Sequence, residues 1–169
     1  INVSPQQLFE GSFPDHVKQA LEVTSLPASA LELELTEMVF QTGTSTIEAL
    51  RKLRAMGVAI ALDDFGIGYS SLTSLEQLPL TRVKLDRMLV ESVDSNPRSA
   101  AIARSIIALC HGLGLQVVAE GVERDPQLEF LSRCGPLAVH GYLLPHPVAA
   151  DAVPAEVAAA AGRAPPRRR

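Results

Sequence analysis

Apolar and polar positions follow two different periods along this chain. Leu31–Leu35 alternates apolar and polar residues, and Val58–Leu62 is a continuous apolar run that stops at Asp63. The first pattern predicts a strand, and the second predicts a strand buried on both faces. Within Thr44–Met56, by contrast, apolar residues recur every three or four positions, which predicts an amphipathic helix that ends at Gly57. The sequence therefore predicts strands that alternate with helices.

The same alternation continues along the chain. The predicted strands lie at residues 1–4, 31–35, 58–62, 82–85, 116–119 and 137–139, and the predicted helices begin at Pro5 or lie at 13–23, 44–56, 70–78, 98–113, 126–133 and, more weakly, 149–161. Repeated strand-then-helix units favour an α/β fold with a parallel sheet, and buried strands favour a TIM-like (β/α) barrel. A closed barrel needs about eight units. We expect about six here, so the barrel is incomplete in this chain, and a complete open sheet is the alternative.

Composition is that of one globular domain. The chain has 169 residues, of which 47% are hydrophobic and 20% charged. We expect residues 1–148 to form the domain and residues 149–169, rich in Ala, Pro and Arg, to form a tail with a weak helix followed by disorder. Removing the four tail arginines, Arg163 and Arg167–Arg169, from the net charge of -4 leaves -8. An acidic body does not bind a nucleic-acid polymer by itself, so a phosphate ligand needs metal ions or a local Lys or Arg.

Cysteine usage and hydropathy bear on the compartment. Cys110 and Cys134 lie in apolar helical patterns without metal-type spacing, which favours buried free thiols over a disulfide or a zinc site. The longest apolar stretch, Ala100–Cys110, is interrupted by Arg104 and is too short to span a bilayer. We therefore predict a cytoplasmic location for this domain, with any membrane anchor upstream.

Ionisable or oxygen-bearing residues follow the predicted strands. They are Asn2, Glu34, Glu37, Asp63, Asp64, Lys84, Asp86, Glu120, Glu123 and His140. Ligands bind at the carboxyl ends of parallel strands, and oxygen-rich sets suit Mg²⁺ or Mn²⁺. Two such ions activate a water and stabilise the leaving oxygen of a phosphate ester. Acids that merely cap helices are the alternative for any single residue, and five successive strands that end this way disfavour it.

Several motifs, in order, resemble one family. They are Asn2–Ser4, Glu32–Glu37, Leu62–Ser71, Lys84–Arg87, Val118–Glu123 and Gly141–Tyr142. From Ile1 to about Val148 the chain closely resembles the EAL-domain family of cyclic di-GMP phosphodiesterases. The resemblance implies a TIM-like barrel that hydrolyses cyclic di-GMP to linear pGpG with two Mg²⁺ or Mn²⁺ ions and is inhibited by Ca²⁺. It also implies a homodimer and allows an upstream diguanylate-cyclase-like or sensor domain.

The resemblance assigns a role to each matching position. Implied metal ligands are Asn2, Glu34, Asp63 and Asp64, with Asp63 between the ions. Lys84 resembles the lysine that holds and helps activate the attacking water, while Asp86 and Glu120 complete the metal and water shell. Glu123 lies nearby. Glu37 resembles the residue that braces the loop Phe65–Ser71, which is coupled to metal binding and dimerisation. The loop positions singled out are Phe65, Gly66, Gly68, Tyr69 and Ser70.

Three departures from the family pattern affect the interpretation. The Glu-Ala-Leu motif that names the family is expected upstream of Ile1, and the internal Glu48–Leu50 falls within a predicted helix. His140 stands where the family has glutamine, and Ile67 where it has threonine. His140 either donates a hydrogen bond, ligates metal or is a neutral replacement. These departures keep open a catalytically inactive cyclic di-GMP receptor. A metabolic barrel enzyme that binds a sugar phosphate would need a glycine-rich loop after the last strands, where residues 137–147 offer only Gly141.

Overall fold

The computed structural model describes residues 1–41, 44–67, 72–146 and 148–161. Of the predicted site residues, Gly68, Tyr69 and Ser70 lie outside this described part. The same holds for residues 162–169 of the predicted tail, whose helix α8 is Val153–Ala161. The division into a domain and a tail at residue 148 stays a prediction.

Five parallel strands form one sheet in the order β1-β2-β3-β4-β5. Their bounds are β1 Glu32–Thr36, β2 Ala59–Phe65, β3 Arg82–Leu85, β4 Gln116–Ala119 and β5 Ala138–Val139. The remaining helices are α1 Pro5–Phe9, α2 Phe13–Thr24, α3 Thr44–Ala55, α4 Leu72–Gln77, α5 Arg87–Val90, α6 Pro97–Gly112 and α7 Asp125–Ser132. The prediction of an α/β fold in which strands alternate with helices is confirmed.

The predicted first strand is shorter than expected. Asn2 forms a single parallel bridge with Glu34, in which the Val3 N–H donates to the Glu34 carbonyl at 2.9 Å. Pairing stops there because Pro5 lacks an N–H and begins α1. Ser4 caps this helix: the Gln7 side chain accepts from the Ser4 N–H at 2.9 Å, and Ser4 Oγ accepts from the Gln7 N–H at 3.4 Å. The sheet therefore has five strands and one bridge in place of the six strands expected.

Three short elements were not predicted. They are the 3₁₀ turns Ala28–Ala30 and Glu37–Gln41 and the helix α5. Each is too short to show a hydrophobic period. Asp86 begins α5 by accepting a hydrogen bond from the Met88 N–H at 2.7 Å. As a result, the chain turns into a helix directly after β3.

The main core lies on one face of the sheet, because the residues that alternate with it on the other face, such as Glu34 and Lys84, are only partly buried. Leu33 and Leu35 of β1 are 2% and 1% exposed, while Ile60 and Leu62 of β2 are fully buried. The central strand β2 is buried on both faces, because Ala61, between Ile60 and Leu62, is also fully buried. Among the described residues, none of the helices has the length and apolar character needed to cross a membrane. The packed strands fix the directions in which the polar residues at their carboxyl ends point.

Candidate active site

Lys84 lies at the centre of the candidate site. Its ammonium Nζ is 3.1 Å from Glu34 Oε1 on β1, 2.9 Å from Asp63 Oδ1 on β2 and 2.9 Å from Glu120 Oε1 just after β4. The four side chains are between 15% and 22% exposed. Parallel pairing of β1 to β4 brings these residues to one edge of the sheet. One cation thus contacts carboxylates from three other segments of the chain.

The electrostatics of this cluster favour a charged lysine. Burial alone would lower the pKa of Lys84, but the carboxylates of Asp63, Glu120 and Glu34 outweigh it and raise the pKa above its usual range. Asp64 has a raised pKa, because burial and the negative charges of Asp63, Asp86 and Glu120 disfavour its ionised form more than Lys84 favours it. The site therefore concentrates negative charge that one ammonium does not neutralise.

The backbone at Asp64 explains how adjacent acids reach one site. Successive side chains of a regular strand point to opposite faces of the sheet. Asp64 has a φ of 54°, in the left-handed region, and the pairing of β2 with β3 shifts register between Leu62 and Phe65. A bulge of this kind redirects a side chain, and aspartate tolerates the left-handed conformation better than most residues. Asp63 and Asp64 consequently both offer an oxygen to the same cluster.

The donor set fits a divalent cation. One oxygen from each of Asp63, Asp64 and Glu120 lies within 4.8 Å of the other two. Asp63 Oδ1 is buried and, apart from its ion pair with Lys84, accepts no hydrogen bond from the described residues. With Glu34 these acids carry four formal negative charges against the single positive charge of Lys84. Carboxylate oxygens are the ligands that Mg²⁺ and Mn²⁺ prefer, so the residues present suit such an ion.

Glu37 contacts the loop that follows β2. Its Oε1 accepts a hydrogen bond from the Gly66 N–H at 2.9 Å. Its Oε2 is buried and has no hydrogen-bond partner among the described residues. Phe65, which ends β2, is 4% exposed and belongs to the core. The contact is one that bracing of this loop would require, and the role itself stays a prediction.

The remaining predicted residues lie around the cluster without joining the Lys84 contacts. Asn2 is brought to the site edge through its backbone bridge to Glu34. Asp86 caps α5, and Glu123 Oε1 is paired with Arg87 Nη1 at 3.1 Å. His140 is 74% exposed, with Nδ1 3.7 Å from Glu120 Oε1. The metal and substrate roles expected of these residues stay predictions.

Sequence reasoning missed the residue that supports the turn after β4. Gln127 is 1% exposed. Its Oε1 accepts from the backbone N–H groups of Glu123 and Arg124 at 2.9 Å each, and its Nε2 donates to the carbonyls of Val90 and Glu91 at 3.3 and 3.2 Å. The sequence carries only half of the capping-box signal, because Gln127 stands three residues after Arg124, where a Ser or Thr would complete it.

Comparison with known proteins gives one family. The EAL domain model matches residues 1–147. MucR of Pseudomonas aeruginosa, described as a bifunctional diguanylate cyclase/cyclic di-GMP phosphodiesterase, is 41% identical over 159 residues, covering 94% of this chain and 23% of MucR. The chain covers 19%, 23% and 38% of the length of the first three curated relatives.

Solved structures agree in fold. The crystal structure of the EAL domain of Mycobacterium smegmatis DcpA has a TM-score of 0.86 and 39% identity, covering 98% of this chain and 74% of that one. Klebsiella pneumoniae BlrP1, solved with manganese and cyclic di-GMP, has a TM-score of 0.78 and 32% identity, covering 87% and 38% of the two chains. BlrP1 has also been solved with calcium and cyclic di-GMP. With parallel strands, a carboxylate cluster at their ends and a family match over residues 1–147, this chain belongs to the EAL-domain family.

Proposed function

We propose that this chain forms part of a metal-dependent phosphodiesterase that hydrolyses cyclic di-GMP to linear pGpG. The observation that carries the proposal is the contact of Lys84 with Glu34, Asp63 and Glu120, next to Asp64. A structural ion pair needs one carboxylate for one ammonium. The excess of acids supports a site built for additional cations. The relatives named as cyclic di-GMP phosphodiesterases support the choice of substrate.

Asp63, Asp64 and Glu120 would hold the metal ions, together with Glu34 and Asn2. Two Mg²⁺ or Mn²⁺ ions supply Lewis acidity and lower the pKa of water when they are bound. Lys84 would hold the attacking water and help to activate it, and in the metal-free protein the acids Asp63, Glu120 and Glu34 raise its pKa. Its ammonium orients the water and stabilises negative charge on the phosphate oxygens.

The reaction consumes one water and breaks one phosphodiester bond. The water oxygen forms a new bond to phosphorus, the bond from phosphorus to the ribose 3′ oxygen breaks, and that oxygen ends protonated. The product is linear pGpG with a 5′ phosphate. Asp86, Glu123 and His140 line the surroundings of the site, where Asp86 completes the water shell. Glu37 braces the loop that begins at Phe65 and Gly66 and contains Gly68, Tyr69 and Ser70.

The same proposal covers partners and location. We infer a homodimer coupled to the loop after β2, a diguanylate-cyclase-like or sensor domain elsewhere in the whole protein, and a cytoplasmic location for this domain. MucR, whose name combines cyclase and phosphodiesterase, supports the second of these. Size-exclusion chromatography with light scattering, in the presence and absence of Mn²⁺, tests whether the protein is a homodimer.

The proposal is tested by measuring pGpG release from cyclic di-GMP in Mg²⁺, Mn²⁺ and Ca²⁺, on this chain together with any residues encoded upstream. We expect turnover in Mg²⁺ and Mn²⁺. Ca²⁺ takes longer bonds and more ligands, so we expect cyclic di-GMP to bind in Ca²⁺ without hydrolysis. Calorimetric titration in Ca²⁺ gives the affinity separately from the chemistry.

The receptor alternative predicts a different result. Wild-type protein that binds cyclic di-GMP tightly and releases no pGpG in either Mg²⁺ or Mn²⁺ would exclude the enzyme and favour the receptor. Rapid hydrolysis in Ca²⁺ would instead exclude a site with strict metal geometry. Absence of both binding and hydrolysis would contradict the two alternatives together.

A further inference from the structure

The helix α5 contacts the loops that carry the two halves of the acid cluster. It begins three residues after Lys84 and is capped by Asp86. The loop after β2 follows Asp63 and Asp64, and the turn after β4 contains Glu120. Because α5 contacts both the loop after β2 and the turn after β4, its side chains can fix the distance between Glu120 and the two aspartates.

The contact with the turn after β4 is made by the stem of Arg87. Gly121, next to Glu120, has a φ of 69°, and a Cβ built on it would lie 2.5 Å from Arg87 Cγ and 2.7 Å from Arg87 Cβ. The Arg87 stem thus packs directly on the Gly121 backbone. Its guanidinium also pairs with Glu123 at 3.1 Å. Arg87 therefore contacts the residues on both sides of Val122.

The contact with the loop after β2 is made by Leu89. Gly66 has a φ of 111°, and a Cβ there would overlap the Leu89 side chain. Leu89 is packed against the core. Asp63 and Asp64 lie within three residues of this contact, so a shift of Leu89 would move the backbone that follows them.

Buried hydrogen bonds join α5 to the β4 turn independently of Arg87. Gln127 links the carbonyls of Val90 and Glu91, at the end of α5, to the N–H groups of Glu123 and Arg124. The buried side-chain amide makes four hydrogen bonds and so holds the two segments at a fixed separation. Breaking any of them would leave a polar group unpaired in the interior, which would destabilise the protein. The helix and the turn behave as one unit.

We propose that Arg87 is a positioning residue of the EAL site, which acts through the packing of its stem on Gly121 to hold Glu120 against Lys84, Asp63 and Asp64. This inference rests on the proposed metal-dependent function. Among the described residues, the ion pairs of Arg87 are with Glu91 and Glu123, outside the acid cluster. Its charge pairs with Glu123, whereas its stem sets the place of the β4 turn, and the two contributions are separable by substitution.

The test compares Arg87→Ala, which removes stem and charge, with Arg87→Met, which keeps most of the stem and removes the charge. Arg87 is 54% exposed, so both variants should fold, and circular dichroism melting checks this. The matched control is Arg133→Ala, which removes an arginine that is 73% exposed and paired with Glu129. Mn²⁺ affinity is measured by electron paramagnetic resonance of free Mn²⁺, alongside kcat and KM for pGpG release.

We expect Arg87→Ala to weaken Mn²⁺ binding about tenfold, as residues that support metal ligands commonly do. Arg87→Met and Arg133→Ala should stay close to the wild type. Raising Mn²⁺ should restore most of the kcat of Arg87→Ala while KM for cyclic di-GMP changes little, because the defect lies in the metal site. Gly121→Ala should weaken Mn²⁺ binding less in the Arg87→Ala background than in the wild type, since Arg87 Cγ no longer lies 2.5 Å from the new methyl group, while the Cβ retained at position 87, at 2.7 Å, and the φ of 69° leave part of the defect.

The outcomes separate this inference from the proposed function. Equal Mn²⁺ affinity in Arg87→Ala and the wild type overturns the inference and leaves the phosphodiesterase intact. Equal defects in Arg87→Ala and Arg87→Met overturn the role of the stem. Wild-type protein that binds Mn²⁺ and releases no pGpG overturns the proposed function, while the difference in Mn²⁺ affinity still supports the inference. Wild-type protein that binds no Mn²⁺ overturns both.

Discussion

At the scale of single residues, Lys84 contacts the oxygens that the proposed metal ions would need, so the two would compete. Its ammonium lies about 3 Å from Glu34, Asp63 and Glu120. In Lys84→Met these acids lose their cation, so we expect the metal-free protein to melt at a lower temperature. The rise in melting temperature on adding Mn²⁺ should be larger than in the wild type, because mass action refills a site freed of its competitor.

Turnover should respond in the opposite direction. Without the ammonium, pGpG release by Lys84→Met should fall by about 10²-fold or more, since a donor to the reacting groups is lost. Lys18→Ala, at an exposed lysine paired with Glu22, is the control and should match the wild type in both measurements. Unchanged turnover in Lys84→Met would show that Lys84 serves only to neutralise the acids.

A second residue-scale prediction concerns the backbone of Asp64. Asparagine tolerates the left-handed region nearly as well as aspartate, whereas alanine does not. We therefore expect Asp64→Ala to lower the free energy of unfolding by about 1 kcal/mol more than Asp64→Asn. Urea denaturation in EDTA measures this without any contribution from metal. Equal stability of the two variants would mean that the chain relaxes out of the φ of 54°.

At the scale of elements, strands were predicted well and their connections poorly. The segments that form β1 to β4 could be predicted because buried positions in a strand must be apolar, which gives the sequence a recognisable pattern. The convergence of Glu34, Asp63, Lys84 and Glu120 followed from parallel pairing. The left-handed φ of Asp64 and the helix α5 were not predictable in this way, because each depends on contacts between segments far apart in the chain, such as Gln127 with Val90.

The ion pair between the turn before α6 and the turn before α7 gives an element-scale prediction of pH dependence. Arg124 contacts Asp94 at 2.9 Å, and its guanidinium lowers the pKa of that carboxyl. A carboxyl with a depressed folded pKa stabilises the protein above its unfolded pKa, and this contribution disappears as pH falls through the folded value. The stability difference between wild type and Asp94→Asn should therefore be full near neutral pH and shrink below about pH 4.

Chemical denaturation at a series of pH values measures that difference. Glu129→Gln, at an exposed acid paired with Arg133, is the control and should show a much smaller change. A difference between wild type and Asp94→Asn that stays constant from neutral pH to pH 3 would contradict the assignment of the lowered pKa to the Arg124 pair.

At the scale of the whole molecule, the sheet has two outer strands. In the described part of the chain, β1 pairs on its outer side only with residues 1–3, through the bridge from Asn2 to Glu34 and the hydrogen bond from the Ile1 amino group to the Glu32 carbonyl at 2.8 Å, and β5 contains two residues. Unpaired backbone groups at a sheet edge are a source of instability and association. The chain covers 74% of the solved DcpA EAL domain, so part of that domain has no counterpart in this chain.

We therefore predict that this chain alone is less stable and less active than the same chain extended by any residues encoded upstream. Both are measured by thermal melting, by pGpG release in Mn²⁺ and by the exchange of backbone amide hydrogens. Amides of β1 should gain protection in the longer chain because their edge becomes paired, whereas amides of the central strand β2 should change less. Glu34 lies on β1, so the ordering of this edge should also tighten Mn²⁺ binding. Equal melting temperature, turnover and β1 protection in the two chains would show that the sheet described here is already a complete folding and catalytic unit.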